Sequence, residues 1–203
     1  MTPQKRAFDL VTVVLMLLWL GPILLVVLVV MLIVEGRPLF YPSERMKSPL
    51  QAFTLWKLRT MRVNTAPETG VSGGDKTARI TRFGRFLRRT RADELPQLWN
   101  ILRGDISFVG PRPPLREYVE RFPQIYGEVL KSRPGVTGLA TLRYHRTEER
   151  LLAACKTTAE TDRVYATRCV PRKAAIDLIY RRNQTLCYDL KLIGQTFSRV
   201  IPK

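Results

Sequence analysis

The hydropathy pattern is dominated by an uncharged, largely aliphatic run from Leu10 to Val34. About 25 such residues are enough for a helix to cross the hydrocarbon of a bilayer. Each Leu, Val or Ile contributes roughly −0.3 to −0.6 kcal/mol to insertion. Against this, Pro22 costs about 3 kcal/mol in a helix interior and Gly21 about 1. The aliphatic sum wins, and the run is expected to insert. It is longer than a leader's apolar core, and no small-residue cleavage site follows it, which argues against removal. Two paths through the membrane remain open. Lys5 and Arg6 precede the run while Arg37, Arg45 and Lys47 follow it. The positive-inside rule then places both flanks on the cytoplasmic face, as a re-entrant helix broken at Gly21-Pro22 would. A spanning helix with a proline kink is the alternative.

Beyond the anchor, Leu39-Phe40-Tyr41 and Phe53 to Met61 are aromatic and β-branched enough for short extended segments, with Lys57 and Arg59 alternating onto one face. Asn64 to Ala78 carries Pro67, Gly70, Gly73 and Gly74 and reads as a flexible loop. It lacks the Lys-Ser/Thr ending of a P-loop. Helical spacing resumes with Ile80, Phe83, Phe86 and Leu87, an apolar face among arginines that suits a membrane interface or an ordinary core contact.

The stretch from Thr90 to Pro113 holds the candidate chemistry. Two adjacent carboxylates, Asp93 and Glu94, follow a cationic run of Arg79, Arg82, Arg85, Arg88, Arg89 and Arg91. A capping box from Thr90 to Asp93 would put Pro96 inside a helix. Asp93 as the N-cap puts Pro96 harmlessly in the first turn, and that placement is preferred. Leu95, Leu98, Trp99 and Leu102 then form the buried stripe of a helix closed by Gly104. A carboxylate at a helix start beside arginines is favoured as the anion, and two neighbouring carboxylates allow one to attack while the other holds Mg²⁺ or handles a proton. Asp105 to Val109 reads as a short strand or turn. In Gly110-Pro111-Arg112-Pro113 the two prolines fix where the Arg112 guanidinium points, which suits a diphosphate. Arg133 to Gly138 is a second turn, expected to lead into an extended stretch to Tyr144. Leu186, Leu190, Ile193 and Phe197 recur at helical spacing and are expected to pack on the domain.

Length and charge narrow the function classes. A chain of 203 residues accommodates one catalytic unit plus an anchor. The boundaries are placed at 1–36 for the anchor and 37–203 for the catalytic domain. A formal net charge of +17 calls for anionic partners: nucleic acid, acidic lipid or phosphorylated substrate. A membrane-tethered nucleic-acid-binding protein is the competing reading, but the chain lacks a recognisable nucleic-acid-reading motif, and no nucleic acid is expected. Cys155, Cys169 and Cys187 are widely spaced, so they suggest neither a disulfide framework nor a zinc site. His145 is the only histidine and cannot supply a metal cluster or a triad. The chemistry therefore rests on carboxylates, lysines and arginines.

These motifs, in this order, resemble the bacterial sugar transferases that start glycoconjugate assembly, the monotopic phosphoglycosyl transferases. The resemblance rests on Lys5-Arg6-x-x-Asp9, the Gly-Pro pair in the anchor, Lys57-Leu58-Arg59-Thr60-Met61 and Thr81 to Arg88. Its most specific parts are Asp93 to Asn100, Gly104 to Pro113 and Arg133 to Gly138. It implies an α+β, helix-dominated fold, with a re-entrant N-terminal helix, interfacial amphipathic helices and a small catalytic domain on the cytoplasmic face of the bacterial inner membrane. It also implies transfer of a sugar 1-phosphate from a UDP-sugar to a polyprenyl phosphate. Asp93 would be the nucleophile, with Mg²⁺ at the Asp93-Glu94 dyad. Lys57, Arg59 and Arg88 would steady phosphates or the dyad, and Pro111, Arg112 and Pro113 would hold the nucleotide. Asp177 matches a family acid preceding Tyr180. Anionic lipids are expected neighbours, and a homodimer is compatible with the pattern. The chain departs from the family at Arg91-Ala92, at Leu139 to Tyr144 and over Glu148 to Pro171.

Overall fold

The computed structural model describes residues 1–63 and 78–200, so the glycine-rich stretch read as a loop lies, except for Ala78, outside the described residues. A long helix, α1 (Pro3–Val34), leads into a hairpin of β1 (Phe40–Ser48) and β2 (Gln51–Leu58), then α2 (Arg82–Thr90) and α3 (Gln97–Arg103). Next come β3 (Ser107–Val109), α4 (Arg116–Arg121), α5 (Pro123–Val129) and β4 (Gly135–Thr137). The chain continues through α6 (Leu139–Ala153), α7 (Thr158–Val164), α8 (Val170–Arg182) and α9 (Leu186–Val200), with a π-helical turn, Tyr165–Cys169, between α7 and α8. The helix-dominated α+β class is as expected.

The two small sheets place the chemistry. β1 and β2 pair antiparallel, with Lys57 opposite Tyr41. β3 and β4 pair in parallel, Ser107 opposite Gly135 and Val109 opposite Thr137. So short a parallel pair holds because the turns beyond it interlock. A Cβ on Gly110 would stand 2.1 Å from the Arg133 carbonyl oxygen, and one on Gly135 would stand 2.2 Å from the Gly110 nitrogen. Only residues without a side chain permit that approach. The Gly135 N–H donates to the Pro111 carbonyl at 2.8 Å, which seats the Arg112 turn on the second turn.

α1 is rooted in this domain at both ends. Near its start, Arg6 donates to the carbonyls of Ile101 (2.6 Å) and Leu102 (2.7 Å), the open end of α3. Asp9 accepts from the Ser107 hydroxyl (3.1 Å) and the Phe108 N–H (3.4 Å). Lys5 pairs with Asp189 of α9 and donates to the Val109 carbonyl (3.0 Å) just before the Arg112 turn. At the far end, Glu35 accepts from Thr81, and Arg59 donates to the carbonyls of Glu35 (2.7 Å), Gly36 (3.0 Å) and Arg37 (3.1 Å). Between these roots Val13 packs with Phe53, Leu98 and Ile101, and Met31 packs with Leu58 and Leu87. The remaining aliphatic faces lie open, Trp19 being 80% exposed.

Several expectations are corrected. Gly21 and Pro22 lie within an uninterrupted helical run rather than at a break. Proline removes one donor, and the ladder resumes on either side of it. α2 starts at Arg82 with Thr81 as its N-cap, while Ile80 forms a β-bridge with Met61. Leu139 to Tyr144 is helix, not an extended stretch, because Leu139, Ala140 and Leu142 bury one side of α6. In α3 the buried face is Leu98 and Ile101 with Gln97 and Asn100, whereas Trp99 is 55% exposed. In α9 the inward residues are Asp189 and Leu192, while Leu186, Leu190 and Phe197 face outward. Period alone finds an apolar stripe, but which stripe is covered depends on where the neighbouring elements lie.

Candidate active site

Asp93 and Glu94 sit in a single 3₁₀ turn, Ala92–Glu94, between α2 and α3. Arg91, the residue that closes α2, has a left-handed backbone (φ 59°) that turns the chain sharply. Thr90 is the last residue of α2, and Pro96 occupies the position before α3, where its missing N–H costs nothing. Neither a capping box nor an Asp93 N-cap forms: Thr90 ends α2, and Asp93 lies inside the 3₁₀ turn that Arg91 opens. Asp93 is buried, and its Oδ1 has no hydrogen-bond partner.

The two carboxylates have opposite surroundings. Glu94 Oε1 lies 3.2 Å from Arg112 Nη2, 3.7 Å from Lys57 Nζ and 3.8 Å from Arg91 Nη1. Burial pushes the Glu94 pKa up, but the charges of Arg112, Lys57 and Arg91 overcome it and hold the carboxyl down at about 2. Asp93 is shifted upward, first by burial and then by the negative Glu94, against the pull of Lys57, Arg88 and Arg91. One carboxylate is thus permanently charged and engaged. Its neighbour is desolvated, and one of its oxygens is uncommitted, the condition of a reactive rather than a structural anion.

Cations complete this side of a cavity of about 1410 Å³. Lys57 projects from β2, where burial and then the charge of Arg112 lower its pKa to about 8. Arg112 is shifted upward by Glu94. Arg88 donates from Nε to the Thr60 hydroxyl at 2.8 Å and lines the cavity. Pro113 lines it too, whereas Pro111 lies behind the turn. Arg59 borders the cavity, but its Nη atoms hold the carbonyls after α1, so the expected phosphate contact is replaced by an anchoring role.

Asp177 enters the same cavity from α8. It is 6% exposed, its Oδ1 has no partner, and burial raises its pKa to about 7 against the opposing effects of Lys173 and the Ala140 N–H. Sequence reasoning missed three more wall residues. Lys173 donates to Glu148 (2.8 Å) and to the Tyr165 hydroxyl (3.3 Å). These lie on α8, α6 and the π turn, and no local spacing joins them. The role of Lys5-Arg6-x-x-Asp9 was also unread, although the motif itself was visible: its three side chains hold α3 and β3, the elements that follow the dyad and precede the Arg112 turn.

Among the described residues, no cluster of three or more metal-ligating side chains occurs. Two adjacent carboxylates, one with an orphaned buried oxygen, are nevertheless a fitting donor set for Mg²⁺, which commonly takes one or two carboxylates and completes its shell with water and substrate phosphates.

Comparison with known proteins shows the class of enzyme the chain resembles. The exopolysaccharide production protein PSS of Rhizobium leguminosarum bv. phaseoli is 36% identical over 200 residues, covering 95% of this chain and 92% of that protein. The UDP-glucose:undecaprenyl-phosphate glucose-1-phosphate transferase of Escherichia coli (strain K12) is 31% identical over 195 residues, covering 95% of this chain and 39% of that protein. The UDP-galactose-lipid carrier transferase of Erwinia amylovora is 31% identical over 214 residues, covering 98% and 40% respectively. The chain spans about two fifths of the length of several such relatives. The bacterial sugar transferase family model matches residues 1–203, and the chain belongs to that family.

Proposed function

We propose that this protein transfers a sugar 1-phosphate from a UDP-sugar to undecaprenyl phosphate, opening exopolysaccharide assembly at the cytoplasmic face of the inner membrane. The observation that carries the reading is the uncommitted, buried Asp93 oxygen beside a carboxylate already neutralised by Arg112, Lys57 and Arg91. The Asp93 carboxylate attacks the sugar-bearing phosphorus of the diphosphate. The bond from that phosphorus to the bridging oxygen breaks, and UMP leaves with the electron pair. An oxygen of undecaprenyl phosphate then attacks the phosphorus of this aspartyl acyl phosphate, the bond from phosphorus to the Asp93 oxygen breaks, and Asp93 is freed as the diphosphate-linked sugar forms. Lys57, Arg88 and Arg112 bind and orient the phosphates throughout. Mg²⁺, held by Asp93 and Glu94, would supply charge neutralisation to the phosphate oxygens.

The membrane reading rests on the two roots of α1. A 32-residue helix is about 48 Å long, more than the hydrocarbon thickness of about 30 Å. Because the same domain holds both ends, the open aliphatic middle is best served by a helix that enters and leaves through one face, bending at Pro22 while remaining helical on either side. Outward Phe86, Trp99 and Phe197 suit the same interface.

The test is incubation of the purified protein with radiolabelled UDP-sugar and Mg²⁺ in the absence of lipid acceptor. We expect stoichiometric UMP release and label on the protein, both absent in Asp93→Asn. Label retained by that variant would exclude Asp93 as the nucleophile.

A further inference from the structure

The cavity has a second wall, chemically unlike the phosphate side. Glu148 from α6, Tyr165 from the π turn, and Lys173 and Asp177 from α8 all line it. The Lys173 ammonium has three N–H groups; it spends one on Glu148 at 2.8 Å and one on the Tyr165 hydroxyl at 3.3 Å, and it lies 5.1 Å from the Tyr165 ring centre. Asp177 is 6% exposed and carries a carboxyl oxygen with no partner. Buried ion pairs contribute little net stability compared with apolar packing, so this arrangement is poorly explained as core support. It is well explained as a set of alternating acceptors and donors awaiting hydroxyl groups. Leu152 and Val170 beside it offer apolar surface to ring C–H groups. Glu148 and Tyr165 also sit within electrostatic reach of Arg112. Arg112 lines the same cavity, so a group attached to a phosphate there shares its space with this wall.

We propose that Glu148, Tyr165, Lys173 and Asp177 form the subsite that reads the sugar ring, and that it selects a neutral hexose with free hydroxyls over a hexuronate. The inference rests on the transfer reaction proposed above and assigns the sugar end of that same cavity. Glu148 and, when ionised, Asp177 accept from hydroxyls and oppose a carboxylate on the sugar, while the Lys173 ammonium is already paired with Glu148. Glu148, Tyr165 and Lys173 fall at or within Glu148 to Pro171 or just past it, where the chain departs from its family.

The experiment measures UMP release by the full-length protein from UDP-glucose, UDP-galactose and UDP-glucuronate, together with product inhibition by UMP. The wild type is expected to favour the neutral sugars. Lys173→Met and Glu148→Gln should each lower kcat/KM for UDP-glucose by about 10- to 100-fold, the loss of one charge-assisted hydrogen bond. Inhibition by UMP, which lacks the hexose, should stay within about twofold. Equal weakening of UMP inhibition would assign the wall to the nucleotide's ribose, and unchanged kcat/KM or a preference for the glucuronate would overturn the proposal as well. A second arm needs no variant: with wild-type protein, at least one monodeoxy UDP-glucose should lose about tenfold or more, and a flat response across the series would refute hydroxyl reading. If the wild type releases UMP from no UDP-sugar, the transfer reaction itself fails. Turnover that ignores this wall sinks only the subsite.

Discussion

Lys57 offers the most discriminating test of the phosphate side. Its pKa is lowered to about 8 by burial and by the nearby Arg112. The ammonium is then about 90% charged at pH 7 and about 10% charged at pH 9. If its charge orients the UDP-sugar diphosphate, kcat/KM should fall about tenfold per unit above pH 8, since this parameter reports groups of the free enzyme. Stability should move the other way. The folded state binds fewer protons than the unfolded chain between the folded value and the ordinary lysine range, so stability from this group rises with pH across that window. The shift from 10.5 corresponds to on the order of 3 kcal/mol. Alkaline inactivation with no loss of melting temperature would separate titration from unfolding. Lys57→Arg keeps its charge to much higher pH and should flatten the alkaline limb, even where its activity at pH 7 is lower. The assay is UMP release from pH 6 to 10, with melting measured in parallel. An alkaline limb that persists unchanged in Lys57→Arg would refute the assignment.

Other outcomes follow from the same geometry. Asp93→Asn, although inactive, should melt higher than wild type at pH 7.5 and lose that advantage at low pH. A carboxyl whose folded pKa is raised loses its relative stabilisation as pH rises through that value. Lys5→Met should destabilise by about 3–5 kcal/mol, because it leaves Asp189 buried and unpaired, and adding Asp189→Leu should recover most of the loss in chemical denaturation. Single cysteines placed at Thr2 and Pro38 should both react with an impermeant thiol reagent from the cytoplasmic side alone, in a background lacking Cys155, Cys169 and Cys187. Labelling from opposite sides would establish a spanning α1.

How far the sequence could be read depended on how local each feature is. The long apolar run of Leu10 to Val34, the extended segment at Phe53 to Leu58, the Asp93-Glu94 pair and the Arg112 turn are all carried by residues close in the chain. Composition, short-range alternation and proline placement act there without help, so these were legible. Local rules also misplaced some boundaries. Pro96 correctly forbade a capping box at Thr90, yet the left-handed Arg91 put Asp93 in a 3₁₀ turn instead of at an N-cap. Backbone sterics exclude a conformation more readily than they choose among those left.

What only the tertiary structure decided were the partners brought from afar. Arg59 lay on the expected face, but the end of α1 claims it; Trp99 and Phe197 belonged to plausible stripes that no described residue covers fully. Glu148 and Lys173 meet across 25 residues, and Lys5 reaches Asp189 across 184. By itself, the sequence determined the adjacent carboxylates, their cationic company and a long apolar helix, because these need only neighbours in the chain. The fold decided that Glu94 is engaged while Asp93 is left uncommitted, since burial and Coulomb interactions depend on distances in space that chain separation does not encode.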